Sequence, residues 1–544
     1  MLNWLLQKIR GFPTQLFLIV IGALLFIPFL GQVHLFDWDE INFAESAREM
    51  LVTHNFHIVQ INFQPFFEKP PLFIWMQALS MHYFGINEFA ARLPNAICGI
   101  ITMLVVFNVG RHVFNSQLGV LWALLFSASI LPHIYFKSGI IDPVFNLFIF
   151  LGVYFLYKLS VFSEFEDSKS RLRSRRLHLV LSALFIGLAT LTKGPVAILI
   201  ITLTALTYLI VNRGKMQSGI IDMLVWWLII FSMVLLWLSL ASEQFGFKFI
   251  SEFVKYQVRL FSTEDAGHGG PFYYHFLILI IGVFPASALI FGAFSKNDYD
   301  DAIQAAFKKW MIYLMLVVLI LFSIVRTKIV HYSSLTYFPI TFLAAYYLNY
   351  FLEGKMKWTW KQTVPLTVIC LLLTGALTAG IFLIVRPELI AYYIKDDFGK
   401  ECLKARVYWS EADIRFGIAY LVLIVTSSVL IQMKLNRLGV YVIIISSALF
   451  VSKMLTFVVP RVEKYSQNAL IEFLQSKSNE DCTLEPAGFK SYAHYFYGAI
   501  KPPDGAVKTH YVFTKINKVE EVKNGNPKLK ELYRKNGYVF LKEE

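Results

Sequence analysis

Six polar stretches interrupt an otherwise apolar chain of 544 residues, and each carries side chains that can do chemistry. "FDWDEINF" groups Asp37, Asp39 and Glu40, where a carboxylate could orient or deprotonate an acceptor, although acids also suit the start of a helix. "FEKPP" sets Glu68 and Lys69 before two prolines, either as part of a polar site or as a pair snorkelling at a membrane surface. Asp142 in "YFKSGIIDPVF" reads first as a helix N-cap, and Lys193 in "LATLTKGPVAIL" as a turn residue or a site cation. "STEDAGHGGPFYYH" surrounds two glycines with Glu264, Asp265, His268 and His275, a set suited to ligand or metal contact but without a fixed ligand spacing. "SIVRTKIVHYSSLTYFP" leaves Arg326, Lys328, His331 and Tyr332 together, as a phosphate cradle or as anchors at a helix end. Collected in one cavity, these residues suit transfer from a lipid phosphate. Cations stabilise the departing phosphate while a carboxylate acts on the acceptor.

The elements that must position them are membrane helices. Hydrophobic residues make up 56% of the chain and charged ones 16%, and apolar runs recur at the length that crosses a bilayer. The expected fold is an all-α polytopic membrane protein of about thirteen spans, centred near residues 23, 100, 126, 151, 184, 203, 231, 283, 317, 342, 374, 423 and 449. The first run, Gln15 to Gly31, is expected to be retained as a helix, since no small-residue cleavage site follows it. The net charge of +13 collects in alternate short loops, as the positive-inside rule requires, so no nucleic-acid partner is implied. With the N-terminus inside, all six polar stretches face outward. A one-sided polar set without internal repeats argues against a transporter for a lipid-linked anion, which needs midplane polar groups reached from both faces.

Residues 1–462 are read as the membrane domain, including a first outer loop over 34–88. In that loop "INFAESAREMLVTHN" predicts an amphipathic interfacial helix with Glu45, Arg48 and Glu49 on its polar side, and "LFIWMQALSMHYF" predicts a second interfacial piece. Residues 463–544 predict a small outer α/β domain, with strands at "THYVFTK" and "YVFLK" and a helix at "NPKLKELYRKNG". Cys402 and Cys482 both fall on the outer side, where a disulfide joining them is expected.

The order "DWDE…AREM…FEKPP…RLPNAICG…KSGIIDP…LTKGP…GHGGPFYYH…SIVRTKIVHYSSLTYFP" resembles the bacterial GT-C glycosyltransferases related to protein mannosyltransferases. Within them it looks most like the aminoarabinose transferases that modify lipid A. The resemblance covers residues 30–345 in motif order. It implies a polyprenyl-phosphate sugar donor, an acceptor that is lipid A or another envelope molecule, and a monomeric enzyme in the bacterial inner membrane with its site facing the periplasm. It implies Asp39 as the catalytic carboxylate, with Glu40 and Asp142 beside it. Lys69 and Tyr332 would contact the donor phosphate, with Arg326, Lys328 and Lys193 at polar positions of the pattern. Glu68 and His268 would hold a divalent metal ion, and no organic cofactor is implied. Relatives commonly carry an arginine where this chain has Gly269, so a cation there must come from Arg259, Arg326 or Lys328. A protein O-mannosyltransferase-like enzyme would share the same site.

Overall fold

The computed structural model describes residues 2–161, 168–212, 220–262, 269–295, 298–502 and 509–544. The chain begins with α1 (Leu2–Phe26), α2 (Asp39–Thr53), the hairpin β1 (Gln60–Ile61) and β2 (Gln64–Pro65), and α3 (Leu72–Phe84). A helical body follows: α4 (Glu88–Val113), α5 (Ser116–Ala128), α6 (Ile130–Phe136), α7 (Asp142–Val161), α8 (Ser168–Lys193), α9 (Val196–Val211), α10 (Ile220–Phe245) and α11 (Phe247–Ser262). It continues through α12 (Tyr274–Gly282), α13 (Ala286–Leu289), α14 (Ala302–Ile324), α15 (Tyr337–Leu352), α16 (Trp360–Val385), α17 (Asp397–Cys402), α18 (Glu411–Gln432), α19 (Asn436–Lys453) and α20 (Val459–Tyr465). The chain closes with α21 (Asn468–Lys477), β3 (Cys482–Ala487), α22 (Ala493–Tyr497), β4 (Thr509–Lys515), α23 (Val519–Gly525), β5 (Leu529–Lys535) and β6 (Tyr538–Glu543).

Among the described residues, eight helices are long and apolar enough to cross a membrane, or up to ten if two sharply bent pairs each count as one span. The chain is therefore a multi-pass membrane protein. Every predicted span centre falls inside a helix except residue 283, which falls at the 100° break between α12 and α13. The other bent pair, α5 and α6, turns by 75° at Ser129, whose hydroxyl donates back to the Leu125 carbonyl. Asn87 and Asn115 cap α4 and α5 by accepting the exposed N–H groups of Ala90 and Leu118. These two helices pack so closely that a Cβ on Gly119 would lie 2.4 Å from the Phe107 carbonyl oxygen.

The outer loop departs from the amphipathic expectation. α2 forms where predicted, but Glu45, Arg48 and Glu49 are buried rather than facing water. Arg48 donates to Glu45 at 2.6 and 2.7 Å and to the Ile500 carbonyl at 2.9 Å, so residues far down the chain cover the face read as exposed. α3 buries Phe73, Ile74 and Met81 and leaves Leu79, Tyr83 and Phe84 on its outer side. α11 ends where the stretch "STEDAGHGGPFYYH" begins.

The C-terminal sheet has the order β3-β4-β6-β5, with β3 and β4 parallel and the other pairs antiparallel. Two of its strands lie where predicted. "NPKLKELYRKNG" is not a helix but contains β5, joined to β6 through Asn536 and Gly537, both at positive φ. Such a turn matches the twist of paired strands, and Asn-Gly is its favoured sequence. Phe473 of α21 stacks on Phe540 at 4.2 Å and roofs the sheet. Cys402 and Cys482 are not bridged: each thiol instead donates to a carbonyl, of Asn536 and Lys477 respectively.

Candidate active site

Four of the six polar stretches meet at one place. The loop before α15 forms a short 3-10 helix over Val330–Thr336 and brings His331 between two acids. His331 Nε2 lies 3.7 Å from Asp39 Oδ2, at the start of α2, and 3.9 Å from Asp142 Oδ2, at the start of α7. The other oxygen of Asp142 accepts from Lys193 Nζ at 2.5 Å, and that ammonium sits 5.3 Å from the centre of the Tyr332 ring. The result is a continuous run of polar side chains, Asp39, His331, Asp142 and Lys193, ending on Tyr332. Asp142 is a residue of this cluster and no mere helix cap, since its carboxylate is committed to Lys193 and His331 and is only 3% exposed. Asp39 is 43% exposed and stays reachable.

Burial holds the His331 imidazole below its usual pKa, with Lys193 and Lys69 acting in the same direction against Asp142 and Asp39. The balance favours the neutral imidazole. That Lys69 acts on it at all places the "FEKPP" turn within electrostatic reach of the cluster. Lys69 Nζ lies 5.4 Å from the ring centre of Tyr256 on α11, and the Arg259 guanidinium lies 5.1 Å from the same ring. Glu68 is half-buried on this turn, and its carbonyl accepts from Gln257, also of α11. Of the three cations that could replace the one missing at Gly269, Arg259 is thus the one sharing a ring with Lys69.

Glu40 and Lys328 have structural partners instead. Glu40, read as part of the catalytic group, accepts from Arg92 at 2.8 and 3.0 Å, from the Phe36 N–H at 3.0 Å and from the Gly139 N–H at 2.5 Å. Burial alone would raise its pKa, but Arg92 and the two N–H donors override it and hold the carboxyl below the ordinary range. Lys328 is buried, and its ammonium donates to the carbonyls of Phe322, Ser323 and Val325 at the end of α14. It caps a helix, where a cation complements the last carbonyls. Arg326 is exposed, and the antiparallel bridge between Gly269 and Thr327 sets its loop beside the glycines. His268, Glu264 and Asp265 lie outside the described residues. His275 is fully buried, with Nδ1 3.1 Å from the Ser333 hydroxyl. Among the described residues no three His, Cys, Asp or Glu side chains gather as a metal site would require.

The backbone that presents Asp39 is held from the C-terminal side. Trp38, immediately before it, has φ +79°, a region costly for an aromatic residue. Asp37 keeps this turn in place by accepting from the Ser491 hydroxyl and, at 3.1 Å, from the Tyr492 N–H. Lys490 lies 4.9 Å from the Trp38 ring centre. A cleft of about 920 Å³ lies alongside, between β3, α22 and the Asn62 turn, and Lys490, Tyr492 and Tyr495 line it.

The chain has relatives among known proteins. Residues 68–237 match the family model of dolichyl-phosphate-mannose-protein mannosyltransferases. An uncharacterised protein of Aquifex aeolicus is 29% identical over 62% of this chain and 73% of its own. An undecaprenyl phosphate-alpha-4-amino-4-deoxy-L-arabinose arabinosyl transferase of Wigglesworthia glossinidia brevipalpis is 25% identical over 62% of this chain and 59% of its own, and the one of Photorhabdus laumondii is 25% identical over 66% and 63%. The chain thus spans about three-fifths of these transferases' length. The crystal structure of ArnT from Cupriavidus metallidurans bound to undecaprenyl phosphate superimposes with a TM-score of 0.75 at 16% identity, covering 97% of both chains. The fold is that of this ArnT. In sequence the chain is similar to the undecaprenyl phosphate-alpha-4-amino-4-deoxy-L-arabinose arabinosyl transferases.

Proposed function

We propose that this chain is a glycosyltransferase that moves one sugar, with inversion, from an undecaprenyl-type lipid phosphate to an acceptor at the outer face of the inner membrane, most naturally lipid A or a related glycolipid. The observation that carries this is the convergence of Asp39, Asp142, Lys193 and Tyr332 from four separate helices or loops, in a chain whose fold matches an ArnT with undecaprenyl phosphate bound. In this reading thirteen spans cross the membrane, residues 1–462 form the catalytic domain, residues 463–544 form a periplasmic domain, and the enzyme works as a monomer.

The acceptor oxygen attacks the anomeric carbon, the bond from that carbon to the phosphate oxygen breaks, and the lipid phosphate leaves with the bonding pair. Asp39, open to solvent, takes the proton of an acceptor hydroxyl, or positions the acceptor if it is an already ionised phosphate. Lys193, aimed by Asp142, joins Lys69, Tyr332 and Arg259 or Arg326 in stabilising charge on the leaving phosphate. Glu68 and His268 remain the pair proposed to contact a divalent cation. Loss of activity on chelation and its return with added metal would support that pair; unchanged turnover in chelator would remove it.

Mass spectrometry of lipid A and envelope proteins, with and without the gene, tests the whole reading. A sugar-sized shift on lipid A supports it, and a shift confined to proteins favours the mannosyltransferase-like alternative, to which the family match over residues 68–237 lends weight. No shift on either overturns it.

A further inference from the structure

We propose that His331 is a positioning residue that couples the two halves of the reaction, its Nε2–H held between the acceptor-side carboxylate Asp39 and the donor-side pair of Asp142 and Lys193. The inference rests on the transferase reading above and adds a role that the motif comparison did not give to this residue. Three observations support it. The single nitrogen Nε2 faces one oxygen of each acid, at 3.7 and 3.9 Å, and each of those distances closes to a hydrogen bond with a small shift of either side chain. Asp142 cannot turn away, because its second oxygen is fixed by Lys193 at 2.5 Å. The imidazole is itself confined, edge-on to the Tyr332 ring at 5.4 Å and with its side chain only 13% exposed.

The physical consequence follows from charge. Two carboxylates brought toward one point repel, and a neutral donor between them lets both stay ionised, with Asp39 free to act on the acceptor. A protonated imidazole would draw both carboxylates onto itself and tie up Asp39. The groups facing His331 are Asp39 of α2, Lys69 of the turn before α3, Asp142 of α7 and Lys193 of α8, with His275 of α12 also in electrostatic range. The two lysines disfavour the protonated form and the two acids favour it. Activity should therefore fall on the acidic side, below the ordinary histidine range of about pH 6.5. Binding of the donor phosphate beside Lys193 would weaken the lysine's hold on Asp142 and so reset the position of Asp39 through His331.

The test uses the full-length protein in lipid nanodiscs with a polyprenyl-phosphate sugar donor and lipid A as acceptor. His331→Leu should lower kcat about 100-fold with little change in donor KM, the scale expected when a reacting group is misplaced. His331→Gln keeps an N–H donor of similar reach but cannot titrate. It should recover to within about tenfold of wild type, and the acidic limb of its pH–rate profile should move to lower pH, where protonation of Asp39 alone sets it. Equal damage in both variants, or an acidic limb unchanged in the Gln variant, overturns the proposal. A measurement independent of turnover accompanies it: the nitrogen NMR titration of His331 should move to lower pH in Asp39→Asn and again in Asp142→Asn, and an unmoved titration sinks the coupling. If wild-type protein transfers no sugar, the transferase reading fails, and the NMR titration still decides whether His331 bridges the two acids.

Discussion

Asp39 and Glu40 are neighbours on the first turn of one helix, yet they live in opposite worlds. Glu40 is 5% exposed and accepts four hydrogen bonds, two from a guanidinium and two from backbone N–H groups. Asp39 is 43% exposed, and among the described residues the His331 imidazole lies 3.7 Å from its carboxylate. The same contrast extends outward. Behind Glu40 lies a seam of satisfied buried charge, with Arg92 also capping the carbonyls of Leu30, Val33 and His34, and with Glu45 paired to Arg48. In front of Asp39 lie His331, Asp142 and Lys193, within reach of one another. A fully satisfied acid builds structure, whereas an acid left partly unmet is available for chemistry.

Glu40→Ala tests the structural side most severely, because it strands the Arg92 guanidinium in a buried site; a loss of about 3 to 5 kcal/mol is expected, read as a lowered thermal midpoint in detergent. Asp39→Asn should do the reverse. Its thermal midpoint should stay near that of wild type while sugar transfer falls about 10²- to 10³-fold and donor binding survives. A variant with near wild-type turnover would falsify the catalytic assignment of Asp39. Lys328→Met sharpens the contrast among the cations: losing a charged cap on three carbonyls should cost about 2 kcal/mol of stability, with donor affinity unchanged. If donor affinity drops instead, Lys328 belongs with the phosphate ligands.

The smallest effect concerns Glu49, at the buried end of the same seam. One of its oxygens accepts the Phe63 N–H at 2.8 Å, and the other has no partner among the described residues. Burial first, and then the nearby Glu45, push its pKa up to about 8. In the unfolded chain a glutamate titrates near 4.3. Between about pH 4.3 and 8 the folded state therefore holds a proton that the unfolded chain has lost, so stability declines as pH rises through that window and levels off above it. Glu49→Gln mimics the protonated acid, and its thermal midpoint should vary less than that of wild type between pH 5 and pH 8.

What the sequence disclosed and what it hid divide along the same line. Asp39, Asp142, Lys193 and Tyr332 were legible because each sits in a short polar stretch inside apolar surroundings, and burying such groups without purpose is expensive. That Glu40 and Lys328 are structural was not legible, since their partners are Arg92 and Gly139 in one case and backbone carbonyls in the other. The amphipathic reading of α2 failed for a similar reason: the face it assigned to water is covered by residues near Ile500. The helix predicted over "NPKLKELYRKNG" was an avoidable error. The Asn536–Gly537 pair that ends it is a hairpin signal, and it outweighs the helical propensity of the lysines and leucines before it. A task for His331 is not legible in the sequence, because only the folded loop shows that one ring nitrogen meets two acids.

The turn at Asp37 and Trp38 is gripped by Ser491 and Tyr492, which lie 454 and 455 positions further along the chain. A polypeptide cut anywhere between Tyr332 and Ser491 would keep every residue of the cluster and lose the hold on the turn that presents Asp39. The shape of the cluster is thus a property of two distant stretches brought together, and cannot be carried by either one alone.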